Sequence, residues 1–141
     1  MRRDVRVLFL CTGNSARSQM AEGWLRHLSA GRVHVYSAGT EPKGLDPLAV
    51  RVMAERGVDI SGQRSKPVSE FQGQAFDYVV TVCDRARQTC PSFPGAQTLH
   101  WDLPDPVEVQ GPEEERLRAF RSVRDELESR IRALLDLLEE A

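Results

Sequence analysis

No stretch of this 141-residue chain is apolar for long enough to cross a membrane. The apolar run at residues 5–10 is too short for a secretory core. It leads into Cys-Thr-Gly-Asn rather than a small-residue cleavage site, so a cytoplasmic location is expected. An excess of one charge is missing too. The 19 Lys and Arg against 21 Asp and Glu leave a formal net charge of −2, which gives no reason to expect a nucleic-acid or membrane partner. Repeats, low-complexity tracts and long linkers are absent. One domain spanning residues 1–141 is therefore expected, long enough to bury a core without disulfides or a structural metal. No Cys/His spacing fits zinc, and His27 and His34 read as surface or hydrogen-bonded residues, so neither metal nor cofactor is expected. What remains is three cysteines. In a reducing compartment they are either small buried hydrophobes or chemistry, not a structural disulfide.

The apolar pattern alternates between two periods. Residues 5–10 (Val-Arg-Val-Leu-Phe-Leu) read as a buried strand, 33–38 as an alternating strand ending at Gly39, 78–82 as a third and 98–101 as a short fourth. Helical spacing covers 18–29, with Met20, Trp24, Leu25 and Leu28 as the stripe. It returns at 47–56, with Pro47 in the first turn and Gly57 beyond the end, and over 113–139. In the last helix Leu117, Phe120, Val123, Leu127, Ile131, Leu134 and Leu138 share one face, and the acidic start suits the helix dipole. A short helix over 84–90, closed by Pro91, is also expected. Strands alternating with helices predict an α/β fold: a three-layer doubly wound domain on a four-stranded parallel sheet.

In such sheets ligands bind beyond the carboxyl ends of the strands. Cys11 directly follows the first strand and Cys83 the third, and Asp105 lies a few residues past the fourth. The loop Cys11-Thr12-Gly13-Asn14-Ser15-Ala16-Arg17-Ser18 has the form C-x5-R-S between strand and helix. Backbone N–H groups curling at a helix N-terminus hold an anion, and Gly13 and Asn14 tolerate the left-handed backbone such a curl needs. Arg17 forks two oxygens of a tetrahedral oxyanion. The same field is expected to lower the Cys11 thiol pKa, with Ser18 hydrogen-bonding the thiolate. Expelling an oxygen from the oxyanion requires an acid. Asp105, stiffened between Pro104 and Pro106, is the first candidate and Asp102 its rival. Cys83 and Cys90 would sit about 10 Å apart along an intact helix. A disulfide needs less than about 7 Å, so the pair would bond only if that helix opens, as a redox-switched element.

Taken together, the Cys11–Ser18 loop continuing Gln-Met-Ala-Glu-Gly, Tyr36-Ser37-Ala38-Gly39, Val58-Asp59-Ile60-Ser61, Val82-Cys83, Cys90-Pro91 and His100-Trp101 before Asp105-Pro106 resemble the thioredoxin-coupled arsenate reductases. Those enzymes share the low-molecular-weight protein tyrosine phosphatase fold. The resemblance runs from Val7 to about Asp125. It implies that Cys11 attacks arsenate while Arg17 and the loop amides bind the oxygens and Asp105 acts as acid. Cys83 then attacks the arseno-cysteine, releasing arsenite and leaving a Cys11–Cys83 disulfide. Cys90 moves that disulfide to Cys83–Cys90, where thioredoxin reduces it. A monomer is expected, with phosphate as a substrate analogue. Two departures stand out. Ala16 replaces a cysteine found in many members, one the three-cysteine relay does not need. Some members bind potassium with residues matching Asn14, Glu22 and Ser37 plus an acidic residue near position 66. Here Lys66 stands in that place and offers a positive charge of its own.

Two other readings share the cradle. A low-molecular-weight protein tyrosine phosphatase would use Cys11, Arg17 and Asp105. However, residues 40–47 offer no aromatic wall for a phosphotyrosine ring, and Asp-Pro-Val-Glu replaces that family's Asp-Pro-Tyr-Tyr. Phosphatase chemistry also has no use for Cys83 and Cys90, although side activity on a small aryl phosphate is expected. A non-catalytic phosphocysteine carrier would benefit from a stable adduct, and an acid such as Asp105 works against one.

Overall fold

The computed structural model describes residues 4–83 and 91–139. Four parallel strands, β1 (Arg6–Cys11), β2 (His34–Gly39), β3 (Tyr78–Thr81) and β4 (Gln97–His100), lie in the order β2-β1-β3-β4. The helices are α1 (Arg17–Leu28), α2 (Pro47–Ala54) and α3 (Glu113–Glu139), with single 3-10 turns at Val68–Phe71 and Pro106–Glu108. Each strand and long helix expected from periodicity is present within about two residues, the ordinary scatter of element ends. The helix expected over 84–90 lies outside the described residues, and Cys90 with it.

β1 is the spine of the sheet. Val7, Leu8, Phe9 and Leu10 are all inaccessible to solvent, because strands pair on both edges and layers cover both faces. On the face carrying Phe9, Ser37 and Val80, α1 and α3 pack together, joined by the Trp24 indole N–H donating to Arg124 O (3.0 Å). The seven apolar positions of α3 read from the sequence are all buried, each worth about 1.5–3 kcal/mol relative to exposure. The opposite face, carrying Leu8 and Tyr36, is covered among the described residues by the first 3-10 turn and an aromatic group. Phe76 meets Tyr36, Phe71 and Phe93 at centroid distances of 5.5–5.9 Å. That cover was not expected from periodicity, because a four-residue turn has none.

α2 caps itself at Asp46, whose side chain accepts from the Leu48 N–H (2.8 Å). Its far end meets α3 through buried Arg124, which donates to Val52 O (3.0 Å) and Glu55 Oε1 (2.8 Å). No helix among the described residues is long and apolar enough to cross a membrane. The strand order reverses direction between β1 and β3, so the crevice at their carboxyl ends is the position where such sheets bind ligands.

Candidate active site

Cys11 closes β1, and α1 begins six residues later at Arg17, so the intervening loop wraps an opening at the switch point. A cavity of about 390 Å³ opens there. Its walls are the Cys11–Arg17 loop without Asn14, together with Lys43, Asp105, Val107 and Glu108. Asn14 takes the left-handed conformation (φ 47°) that turns the loop; Gly13 does not adopt positive φ. The Asn14 N–H donates to Cys11 Sγ (3.1 Å). Gly39, at the end of β2, allows this approach. A Cβ there would stand 2.5 Å from Thr12 O and 2.9 Å from Asn14 N, both backbone atoms that cannot swing aside.

The sulfur has a second partner, Ser18 Oγ at 2.8 Å. Asn14 Nδ2 donates to that same hydroxyl oxygen (2.8 Å) and to Ser37 Oγ (3.0 Å). When Cys11 is ionised, the Ser18 hydroxyl can donate to the sulfur while its oxygen accepts from Asn14. Ser37 in turn donates to buried Glu22 (2.5 Å), and Glu22 accepts from Arg26 (2.7 Å). Lys66 closes the network. Its N–H donates to Asn14 Oδ1 (2.9 Å), and its ammonium lies 3.7 Å from Glu22 and donates to Arg64 O (2.7 Å). Burial holds the Lys66 amine below its ordinary range while Glu22 opposes that shift. The position expected from sequence to offer a tethered positive charge beside Asn14, Glu22 and Ser37 therefore does place one against Glu22.

Burial pushes the Cys11 thiol up from its ordinary value. The Ser18 hydrogen bonds, the Arg17 charge and the Asn14 N–H act in the opposite direction. This reverses the lowered thiol expected from the sequence: at 2% exposure Cys11 loses more by desolvation than three hydrogen bonds and one cation return. Replacing Ser18 by Ala removes the foremost of the lowering influences, so the thiol should rise further. The pH profile for alkylation of Cys11 by iodoacetamide is expected to move to higher pH in S18A. A profile coincident with the parent's would deny Ser18 this role.

Arg17 is 8% exposed, and its guanidinium is held from behind by Leu103 O (3.0 Å). Its Nη2 lies 3.4 Å from Asp105 Oδ2. Asp105 also accepts from the Val107 N–H (3.1 Å), which fixes the carboxyl at the cavity wall. Asp102, its rival, is exposed and does not line the cavity. Cys83 leaves β3 beside the cradle, with its sulfur 3.2 Å from Thr12 Oγ1. Cys11 and Cys83 are both thiols. Of the positions singled out from the sequence, Cys11, Thr12, Gly13, Ser15, Ala16, Arg17 and Asp105 line one cavity. Asn14 and Ser18 stand behind it, Cys83 borders it through Thr12, and Cys90 is outside the described residues. Lys43 and Glu108 were not singled out as site residues, since lone charged residues on loops carry no spacing signal.

Fold and site together have the form of an α/β domain with a buried thiol in a loop at the carboxyl end of its sheet. The chain belongs to the low molecular weight phosphotyrosine protein phosphatase family, whose profile matches residues 6–141. Within that family it is similar to an arsenate reductase of Halalkalibacterium halodurans, 44% identical over 131 residues, which is 92% of this chain and 94% of the relative. A solved arsenate reductase in its phosphate-binding state superposes with a TM-score of 0.80 at 35% identity, over 94% of this chain and 97% of that one. A thioredoxin-dependent arsenate reductase of Corynebacterium glutamicum gives a TM-score of 0.78 at 32% identity, over 96% of this chain and 62% of that one.

Proposed function

We propose that this protein is a cytoplasmic, monomeric enzyme that reduces arsenate to arsenite through Cys11, Cys83 and Cys90, with thioredoxin restoring the thiols. The Cys11 thiolate attacks arsenic and an oxygen leaves as water, protonated by Asp105. An incoming dianion competes with Asp105 for the Arg17 guanidinium. Thr12 to Ser18 supply the amides and hydroxyls of the cradle, and Arg17 forks the equatorial oxygens. The Cys83 thiolate then attacks Cys11 Sγ. The S–As bond breaks with its electron pair passing to arsenic, which leaves as arsenite, and a Cys11–Cys83 disulfide remains. Cys90 attacks Cys83 and frees Cys11, and a thioredoxin dithiol takes the Cys83–Cys90 disulfide.

The observation that carries this reading is Cys83 at the cradle, its sulfur on the Thr12 hydroxyl. Hydrolysis of a phosphocysteine needs only water and the acid, so a phosphatase leaves that thiol without work. The arsenate reductase relatives support the same choice. The second reading is phosphomonoester hydrolysis, which the family assignment favours and which the shared cradle allows as a side activity. The test is arsenate-dependent NADPH oxidation with thioredoxin and its reductase, run beside hydrolysis of an aryl phosphate. Arsenate turnover that requires thioredoxin supports the reductase, and aryl phosphate turnover alone makes the protein a phosphatase. In either assay D105N is expected to lower kcat by about 10²-fold or more, the usual contribution of a positioned general acid, with little change in phosphate binding. Unchanged kcat would remove Asp105 from the mechanism.

A further inference from the structure

The cavity carries a second cation for which the steps above have no use. Lys43, on the loop between β2 and α2, lines it together with Cys11 and Arg17. Its N–H donates to Gly13 O (2.9 Å) and its stem lies over Gly13, with Cδ and Cγ 3.6 and 3.7 Å from where a Cβ on that glycine would stand. Backbone and stem are thus tied to the cradle, although the residue as a whole is exposed. Glu108, from the 3-10 turn after Asp105, lines the same cavity. Among the described residues neither side chain is in an ion pair.

The charges explain why a second cation is useful. Arg17 is already faced by Asp105 at 3.4 Å, and the nucleophile is itself an anion when it attacks. Against Arg17 alone, Asp105, Glu108 and the Cys11 thiolate leave an excess of negative charge for an entering oxyanion dianion, and Lys43 reduces that excess. At the mouth of a narrow, low-dielectric cleft its field is focused on the ligand. Beyond the Cys11–Arg17 loop the lining is Lys43, Asp105, Val107 and Glu108, three charged residues and one apolar one, which is poor cover for the organic group of a bulky ester.

We propose that Lys43 is a specificity-determining residue that selects small, doubly charged inorganic oxyanions, with Glu108 as the opposing charge that keeps the bound anion releasable. The proposal rests on the oxyanion reading of the cradle and deepens it; it does not depend on the redox steps. The experiment is protection of Cys11 from iodoacetamide by inorganic phosphate, measured in the parent, K43M, K43R and E108Q at low and high salt. The phosphate concentration for half-protection is expected to rise about fivefold in K43M, the effect of one partly exposed charge contact. K43R should stay near the parent and E108Q should fall below it. High salt should narrow the gap between K43M and the parent. Equal half-protection in K43M and the parent overturns the proposal, as does weaker binding in E108Q. Protection requires no reductant. If the Lys43 effect appears while arsenate turnover does not, only the reductase reading falls; turnover without the Lys43 effect sinks only this inference.

Discussion

Replacing Cys11 by Ser is expected to abolish both arsenate reduction and aryl phosphate hydrolysis, by at least about 10⁴-fold in kcat, the scale seen when a nucleophile is removed. The side chain is 2% exposed, and Ser18 and the Asn14 N–H contact its sulfur directly. A serine hydroxyl fits that space and keeps those hydrogen bonds, so the cradle should still form and still bind phosphate. What it cannot do is ionise. The surroundings already push a thiol upward against Arg17 and Ser18, and a hydroxyl starts several units higher, which leaves no usable alkoxide. Phosphate binding retained with both activities gone is therefore the expected pattern. Turnover by C11S in either assay would mean the chemistry lies elsewhere.

Cys83 to Ser should divide the two activities. Thioredoxin-dependent arsenate turnover is expected to fall to background, because the thiolate that must attack Cys11 Sγ is gone and the arseno-cysteine can only revert. Aryl phosphate hydrolysis needs Cys11, Arg17 and Asp105 and should stay within about threefold of the parent, the change expected when one modest hydrogen bond is altered. Thr12 Oγ1 can hydrogen-bond a serine at that position as it does the thiol, so the loop keeps its support. The order of the strands makes this division meaningful. β1 and β3 are neighbours, paired Leu10 with Thr81, and the next residue of one strand and the next but one of the other are the two thiols. Unchanged arsenate turnover in C83S would end the relay as a mechanism. Joint loss of both activities would show that Cys83 supports the cradle rather than the redox step.

Much of this arrangement was legible before any coordinates. The strands and long helices were, because period-2 and period-3.6 patterns leave the same trace in sequence that they leave in burial, and all seven apolar positions of α3 are buried. The crevice followed from the rule for parallel sheets, which put Cys11, Cys83 and Asp105 on one edge without reference to a motif. Contacts made by backbone were not legible. Gly39 reads as an ordinary strand end, yet it is the place where β2 meets Thr12 O and Asn14 N too closely for a Cβ. Leu103 O behind Arg17 is likewise a carbonyl, which no residue identity announces. Lys43 and Glu108 escaped notice because isolated loop charges have no period. The direction of the Cys11 pKa was misjudged because the sequence shows which groups help a thiolate but not how completely the site excludes water.

The most direct test is a single turnover without thioredoxin: reduced protein is mixed with excess arsenate, then quenched with acid and an alkylating agent. The account predicts one arsenite released per protein and the loss of two thiols. By mass spectrometry the disulfide should join Cys83 to Cys90 in the parent and Cys11 to Cys83 in C90S. Arsenite released with all three thiols still alkylatable, or no arsenite from protein that still binds phosphate at Cys11, would contradict it.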